Sequence, residues 1–389
     1  MKNKLCEFCE NNKNDFLNLA DFIFDNPEIG LEEFKAVDKI TNLLSENGFS
    51  VSKDIYGFKT AFKAYYKSNK GGLKIGLLCE YDALEGLGHA CSHHLQAPAI
   101  LLCANAIKKV LNEFDYELII YGTPAEETLG AKIYMEKAGA FSDIDIAFMM
   151  HGADATCVDV KSMALINLDV EFFGVSSHAA LKPENGKSAL DAMLLAFHGL
   201  EITREHVKDD TRMHFALTET PKSANVVPNY AKARFSLRSY DSDYLQNVVK
   251  DKFYNLIKGA AIMLGVDYKI EVVKTLNGKI PVYSLNELVM QNARFINALN
   301  ITPPREKTGS TDFGNVTYKV PGTCIRIAFV PKGTSSHSQV FLDYGKSDEA
   351  YNAIINAAKI LACSIFDLLN DKSKMQQIKE EFINNKNLS

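Results

Sequence analysis

The sequence predicts an α/β protein with a smaller α+β unit inserted into it. Three observations predict this. Short apolar runs alternate with helical periodicity near both ends of the chain, the middle instead reads β-α-β-β-α-β, and residues suited to metal binding fall just past strands of the first pattern. At 389 residues, 47% of them hydrophobic, the chain is long and apolar enough to bury two cores.

In chain order, Leu73–Cys79 is an apolar run that ends at Glu80-Tyr81-Asp82, and helical periodicity follows over 95–111. Leu118-Ile119-Ile120-Tyr121 is a second buried-strand run, followed by Glu126-Glu127 and a helix to about Gly139. The apolar run 145–150 is a third strand, closed by His151. In open α/β sheets ligands gather at the carboxyl ends of strands, so residues distant in sequence can share a site there. The middle alternates as a half-buried strand over 165–175, then reads as an amphipathic helix over 188–207. Strands at 213–218 and 231–237, a helix over 244–264 and a strand at 268–273 complete it. That order is the split-βαβ, or ferredoxin-like, unit. The expected division is 1–163 with 277–389 for the α/β body and 164–276 for the insertion. Beyond it a strand at 324–330 leads to His337, and 347–369 is a long helix packing back on the sheet. The Lys/Glu/Asn-rich tail after Asn370 is expected to be a fraying helix end.

A formal charge of −5 offers no broad basic face, which argues against nucleic acid as an obligate partner. No apolar run reaches the roughly 18 to 20 residues of a membrane span, and the N-terminus lacks the apolar segment of a signal peptide. The cytoplasm is the expected compartment. Cysteines at 6, 9, 79, 91, 103, 157, 324 and 363 lack disulfide-scaffold spacing, as expected of reduced thiols. Cys6 and Cys9 form a lone Cys-x-x-Cys, which reads as a pair of solvent-facing helix residues. Cys79, Cys103, Cys157, Cys324 and Cys363 read as small buried hydrophobes.

The densest chemistry lies between His89 and His94, where one thiol and three imidazoles fall within six residues. Divalent ions such as Zn²⁺ bind thiolate and imidazole together, so Cys91 and His93 point to a metal. Pro124-Ala125-Glu126-Glu127, Met150-His151-Gly152 and Ser336-His337-Ser338 add two adjacent carboxylates and two imidazoles. That set suffices for a two-ion site and a general base. A Glu-Glu pair is usually a solvated helix start, yet this one follows a strand and Pro124. His89 and His94 read either as further ligands or as hydrogen-bonded supports of the loop. His198, His206 and His214 read as structural or exposed.

Seven blocks then occur in order: Glu80-Tyr81-Asp82-Ala83-Leu84, His89-Ala90-Cys91-Ser92-His93, Pro124-Ala125-Glu126-Glu127, Ala138-Gly139-Ala140-Phe141, Gly174-x-x-x-His178-Ala179-Ala180, Asn225-Val226-Val227-Pro228, and Gly309-Ser310-Thr311-Asp312-Phe313-Gly314-Asn315. Over nearly the whole chain they resemble the M20 metallopeptidase and amidohydrolase family, in the branch of aminobenzoyl-glutamate hydrolase and the M20-domain dipeptidases. The resemblance implies an M20-type catalytic α/β domain with an inserted ferredoxin-like lid and dimerisation domain. It makes Cys91, His93, Glu127, His151 and His337 the metal ligands, Glu126 the general base, and Asp82 a carboxylate that orients the metal shell. It assigns His178 to the oxyanion across a dimer, and Asn225 and Arg238 to a substrate carboxylate, with Asn225 opening a strand and Arg238 ending it. A surface ion pair is the plain alternative for Arg238. Two departures stand out: Ser92-His93-His94 where the branch has Gly-His-Asn or Gly-His-Asp, and Thr128-Leu129-Gly130 in place of a glycine run. Gly152 where proline is common is a smaller one. Ser92 would restrict a backbone that glycine leaves free.

The expected function is a cytosolic, homodimeric, metal-dependent hydrolase, with two ions per subunit drawn from zinc, manganese, cobalt or nickel. It would cleave the amide of N-acyl or aryl-acyl amino acids, or dipeptides, carrying a free carboxylate. A strict dipeptidase is the nearest rival, and a non-catalytic metal- or ligand-binding scaffold is the rival from another class. The retained Glu126 argues against the scaffold, which needs no free base.

Overall fold

The computed structural model describes residues 1–306 and 308–387. The chain divides into two compact units, Met1–Lys161 with the stretch from Lys279 onward, and Ser162–Gly278.

The first unit is built on a seven-stranded sheet. Its strands are β1 (Ser50–Ile55), β2 (Phe58–Ser68), β3 (Leu73–Cys79), β4 (Tyr116–Gly122), β5 (Ile146–Ala153), β6 (Cys157–Val158) and, after the second unit, β11 (Gly322–Ala328). Their order across the sheet is β1-β2-β4-β3-β5-β11-β6. The four central strands are parallel, and antiparallel strands flank them on both sides. Central strands covered on both faces read as near-continuous apolar runs, which is why β3, β4 and β5 are legible in the sequence. The β1–β2 hairpin is not, because lysines at 59, 63 and 67 break the apolar pattern of β2.

The strand period of two sorts side chains between two cores. Phe148 and Met150 join one with Ile75 and Leu77, against the helices Gln96–Val110 and Asp348–Asn370. Ala147 and Met149 join the other with Met135, Phe141 and Phe313. His151 therefore falls on the second face. Contrary to expectation, one helix, Asp348–Asn370, is long and apolar enough by composition to cross a membrane. Two-thirds of its most apolar window is buried inside the unit, as befits a core helix.

Two expectations near the termini are corrected. The tail forms a helix, Lys372–Lys386, capped by Asp371, whose side chain accepts from the Ser373 N–H at 3.1 Å. Met375, Ile378 and Phe382 are its buried stripe, an i, i+3, i+7 pattern that a polar composition hides. The Cys-x-x-Cys faces inward: Cys9 is fully buried and Cys6 Sγ lies 3.9 Å from Cys363 Sγ. The helix Lys2–Asn11 turns Leu5 and Cys9 to the core, and Cys6 flanks them.

The second unit is an antiparallel sheet of β7 (Ala164–Phe173), β8 (Arg212–Glu219), β9 (Tyr230–Ser239) and β10 (Asp267–Leu276), ordered β10-β7-β9-β8. Helices Ala189–Thr203 and Lys250–Leu264 pack with it around alternate residues such as Ile166, Leu168, Phe235 and Leu237. The helix read over 188–207 ends at Thr203 and continues only as the short turn Arg204–His206. His198, His206 and His214 are exposed.

Candidate metal centre

Loops at the carboxyl ends of the parallel strands supply the site. β3 hands on to Glu80 and Asp82, and a turn returns the chain to Cys91, Ser92 and His93 at the head of the helix Gln96–Val110. Glu126 and Glu127 follow β4. His151 lies within β5, which runs two residues beyond it. His337 follows β11 by a longer loop, pinned where the His337 N–H donates to the Ala90 carbonyl at 2.9 Å.

Four groups of donor atoms, each within 4.8 Å of one another, converge here: Cys91, His93 and His151; Cys91, Glu127 and His337; His93, Glu126 and Glu127; and Glu80, Glu126 and Asp312. Cys91 is common to the first two, so the arrangement reads as two adjacent positions sharing one thiol. Cys91 Sγ lies 3.6 Å from His151 Nε2, and His337 Nε2 lies 3.2 Å from Glu127 Oε1. His151 Nδ1 must donate to the Gly152 carbonyl at 2.8 Å, which leaves Nε2 as its free lone pair. Asp82 organises two of these groups. Its Oδ1 is 3.0 Å from His93 Nδ1, and its Oδ2 accepts the Glu127 N–H at 3.0 Å. That leaves His93 Nε2 and Glu127 Oε1 buried without a hydrogen bond, each with one polar atom 3.2 Å away, Glu80 Oε2 and His337 Nε2 respectively. Buried polar atoms are seldom orphaned, and these two face the shared thiol, so the residues fit divalent ions. Burial pushes the Cys91 thiol up to about 12, so its thiolate form calls for a cation beside it.

Behind the donors is an ion cluster that the sequence pattern does not reveal. Lys132 is fully buried, and its Nζ reaches Glu80 Oε1 at 2.5 Å and Asp312 Oδ1 at 2.8 Å. Gln96 donates to the other Glu80 oxygen at 2.7 Å. Burial favours a neutral Glu80, yet Lys132, then His93 and His151, outweigh it and hold the carboxyl down at about 2. Glu126 accepts from Thr311 Oγ1 at 3.3 Å, and burial, then Glu80 and Asp312, push it up to about 8. For His151, burial and then Arg326 hold the imidazole down at about 3. A lysine at a helix start reads as solvated, so only Glu80 and Asp312, inside two of the seven blocks, carry any signal.

The other expected residues sort by place. His94 Nε2 donates to the Gly345 carbonyl at 2.8 Å, and His89 and His94 pack with Phe24 rather than in a donor group. His178 and Asn225 meet on one pair of loops in the second unit, where the Ala179 N–H donates to the Asn225 carbonyl at 3.0 Å. Asn225 does not open a strand; it precedes β9 by five residues. Arg238 lies at the far end of β9, opposite Leu165, whereas the near end, Tyr230, lies opposite Phe173. Eight residues of strand separate Tyr230 from Arg238, roughly 26 Å. Asn225 and Arg238 of one chain therefore do not share a carboxylate.

Ser92, Ala125 and His337 all have left-handed backbone, at φ 63°, 54° and 61°. Such strain persists where surroundings hold it, as Glu33 Oε1 does by accepting the Ala125 N–H at 2.8 Å. Ser92 also explains Gly152. A Cβ at 152 would lie 2.5 Å from Ser92 Oγ and 2.8 Å from the Phe329 ring, so the serine occupies the space that another residue at 152 needs. Gly152→Ala should cost about 1–3 kcal/mol by overpacking, and less in a Ser92→Gly background, where φ 63° is also relaxed. Urea unfolding of the four-member cycle checks this; equal costs in both backgrounds would uncouple the two positions.

The family model described as peptidase family M20/M25/M40 matches residues 77–363. The chain belongs to this family. It is 30% identical over 385 residues to the human (Homo sapiens) Xaa-Arg dipeptidase, covering 94% of this chain and 88% of that protein. It is 27% identical to a subunit of the p-aminobenzoyl-glutamate hydrolase of Escherichia coli (strain K12), covering 94% of this chain and 91% of that subunit. Among solved structures, a dinuclear metal-binding M20 peptidase of Bacillus subtilis aligns with a TM-score of 0.69 at 17% identity, over 93% of this chain and 99% of that one. The M20 fold and membership among its hydrolases thus agree with the seven blocks.

Proposed function

We propose that this M20 hydrolase is a cytoplasmic homodimer that uses two divalent ions per subunit, zinc, manganese, cobalt or nickel, to cleave N-acyl or aryl-acyl amino acids or dipeptides with a free carboxylate. The observation that carries the reading is the thiol shared by two donor groups, with Glu126 beside them. The named activities of the dipeptidase and the aminobenzoyl-glutamate hydrolase support the substrate class. Divalent ions held by Cys91, His93, Glu127, His151 and His337 would polarise a carbonyl and lower the pKa of the attacking water. Glu126 takes the proton from that water and returns it to the leaving amine. Asp82 holds His93 and the Glu127 backbone in register, and His178 of a second subunit steadies the oxyanion. The separation of Asn225 from Arg238 supports the dimer, since a carboxylate held by both must draw them from different chains. The exposed edge strand β8, with Phe215 and Leu217, offers a surface for that pairing.

Three experiments test this. Assays on N-acyl amino acids and dipeptides with each metal test the substrate class, and no turnover on any would defeat it. Cys91→Ala should lose metal and activity together while keeping its fold, as read by elemental analysis and circular dichroism; full metal content would remove Cys91 from the ligands. For the dimer, inactive His178→Ala and Glu126→Gln chains should regain activity on mixing, because one hybrid site combines a sound base with a sound histidine. Proven hybrids without recovery would end the trans role.

A further inference from the structure

A row of charge leads away from the candidate metal centre along the same sheet face. On β11, Arg326 pairs in parallel register with His151 of β5, so the two side chains project from the same face about one strand spacing, roughly 4.8 Å, apart. Arg326 also pairs with Cys157 of β6, and Asp159, two residues on, shares that face. Beyond it, Arg305 bridges Asp159 from a segment running along the sheet edge. Arg326 Nε donates to Asp159 Oδ2 at 2.8 Å and Arg305 Nε to Asp159 Oδ1 at 2.6 Å. Lys279 Nζ donates to the Asp159 carbonyl at 2.5 Å.

Two guanidinium groups thus share one carboxylate, and Lys279 meets the same residue only at its backbone carbonyl. Asp159 is 11% exposed and Arg326 23%, so this pair is largely shielded from water, whereas Arg305 is 43% exposed. Each arginine commits its Nε–H to Asp159, and its Nη groups donate to nothing among the described residues. A purely structural Arg–Asp pair needs one cation. The surplus positive charge, with guanidinium forks left open beside a catalytic ligand, matches a carboxylate that arrives with the substrate.

We propose that Arg326, supported by Arg305, binds a second carboxylate of the substrate, so that the preferred amide carries a negative charge beyond the α-carboxylate. This rests on the hydrolase reading above. That charge belongs either to an acidic side chain of the amino acid released or to the acyl group.

The test compares kcat/KM for N-benzoyl-glutamate, N-succinyl-glutamine and N-benzoyl-glutamine, which place the second carboxylate on the amine side, on the acyl side, or nowhere. Calorimetry with glutarate accompanies it, all on the metal-loaded protein. The native chain should favour one acidic substrate over N-benzoyl-glutamine by roughly 10- to 100-fold, the scale of a charged hydrogen bond. Arg326→Gln should erase that preference, read as the ratio of kcat/KM between the acidic amides and N-benzoyl-glutamine, and weaken glutarate binding. Arg326→Lys should keep part of it. Arg305→Gln, at a side chain 43% exposed, should give a smaller loss without endangering the fold. No preference for either acidic substrate, or an equal loss on all three amides in Arg326→Gln, would overturn the proposal. Glutarate binding that depends on Arg326 in a protein that cleaves none of the amides would uphold the anion site and overturn the N-acyl amino acid substrate class.

Discussion

Glu126→Gln is expected to keep its metal and lose on the order of 10²-fold or more in turnover, the usual scale for a positioned acid-base group. The neighbouring Glu127→Gln should instead lose metal. The geometry separates them. Glu127 shares donor groups with Cys91 and His337 and has an orphaned buried oxygen facing them. Glu126 leans toward Thr311, Glu80 and Asp312, and belongs to no group with Cys91. Its burial beside two carboxylates raises its proton affinity, and bound divalent cations would offset part of that, which suits a group that must take and return a proton. Elemental analysis and steady-state kinetics on both variants decide the matter. If Glu126→Gln lost metal while Glu127→Gln kept it, the two roles would be exchanged.

Lys132→Met should destabilise the fold strongly, by about 3–5 kcal/mol. Deleting its ammonium removes the cation that pairs with both Glu80 and Asp312, carboxylates about 1% exposed. The comparison is Lys379→Met. That lysine also pairs with an aspartate, Asp145 at 2.8 Å, but is 43% exposed, and water screens the loss to within about 1 kcal/mol. Urea unfolding of both variants measures the contrast. Losses of similar size would mean that Lys132 does not hold the carboxylates as a buried charge. Since Glu80 also lies 3.2 Å from His93 Nε2, metal affinity should fall in Lys132→Met as well.

Much of the site was legible because its chemistry uses residue types that are rare in close succession. A thiol among three imidazoles, a Glu pair after a proline, and single histidines past strands are local facts, as are the apolar runs of β3, β4 and β5. The order of elements in 164–276 likewise follows from period-two and helical patterning, which short-range sterics and burial impose on the sequence itself. The departure at Ser92 was legible for the same reason: a left-handed position prefers glycine whatever surrounds it.

What lay beyond the sequence depends on partners distant along the chain. Lys132 is a buried cation only because Glu80 and Asp312, 52 and 180 residues away, converge on it. Arg326 and Asp159 are separated by 167 residues and Arg305 and Asp159 by 146, and no local pattern marks them as a row. The amphipathic stripe of the last helix was hidden by its charged faces, and the inward turn of Cys9 by a motif too short to show periodicity. Asn225 and Arg238 looked like one clamp until strand pairing set Arg238 at the end of β9 remote from Asn225. The sequence by itself determined the fold class, the family and the residue types gathered at the candidate site, since each is written in local pattern and residue chemistry. Only the tertiary structure decided which charges are buried together and which donors share a thiol, because desolvation and ion pairing act between groups that folding alone brings within reach.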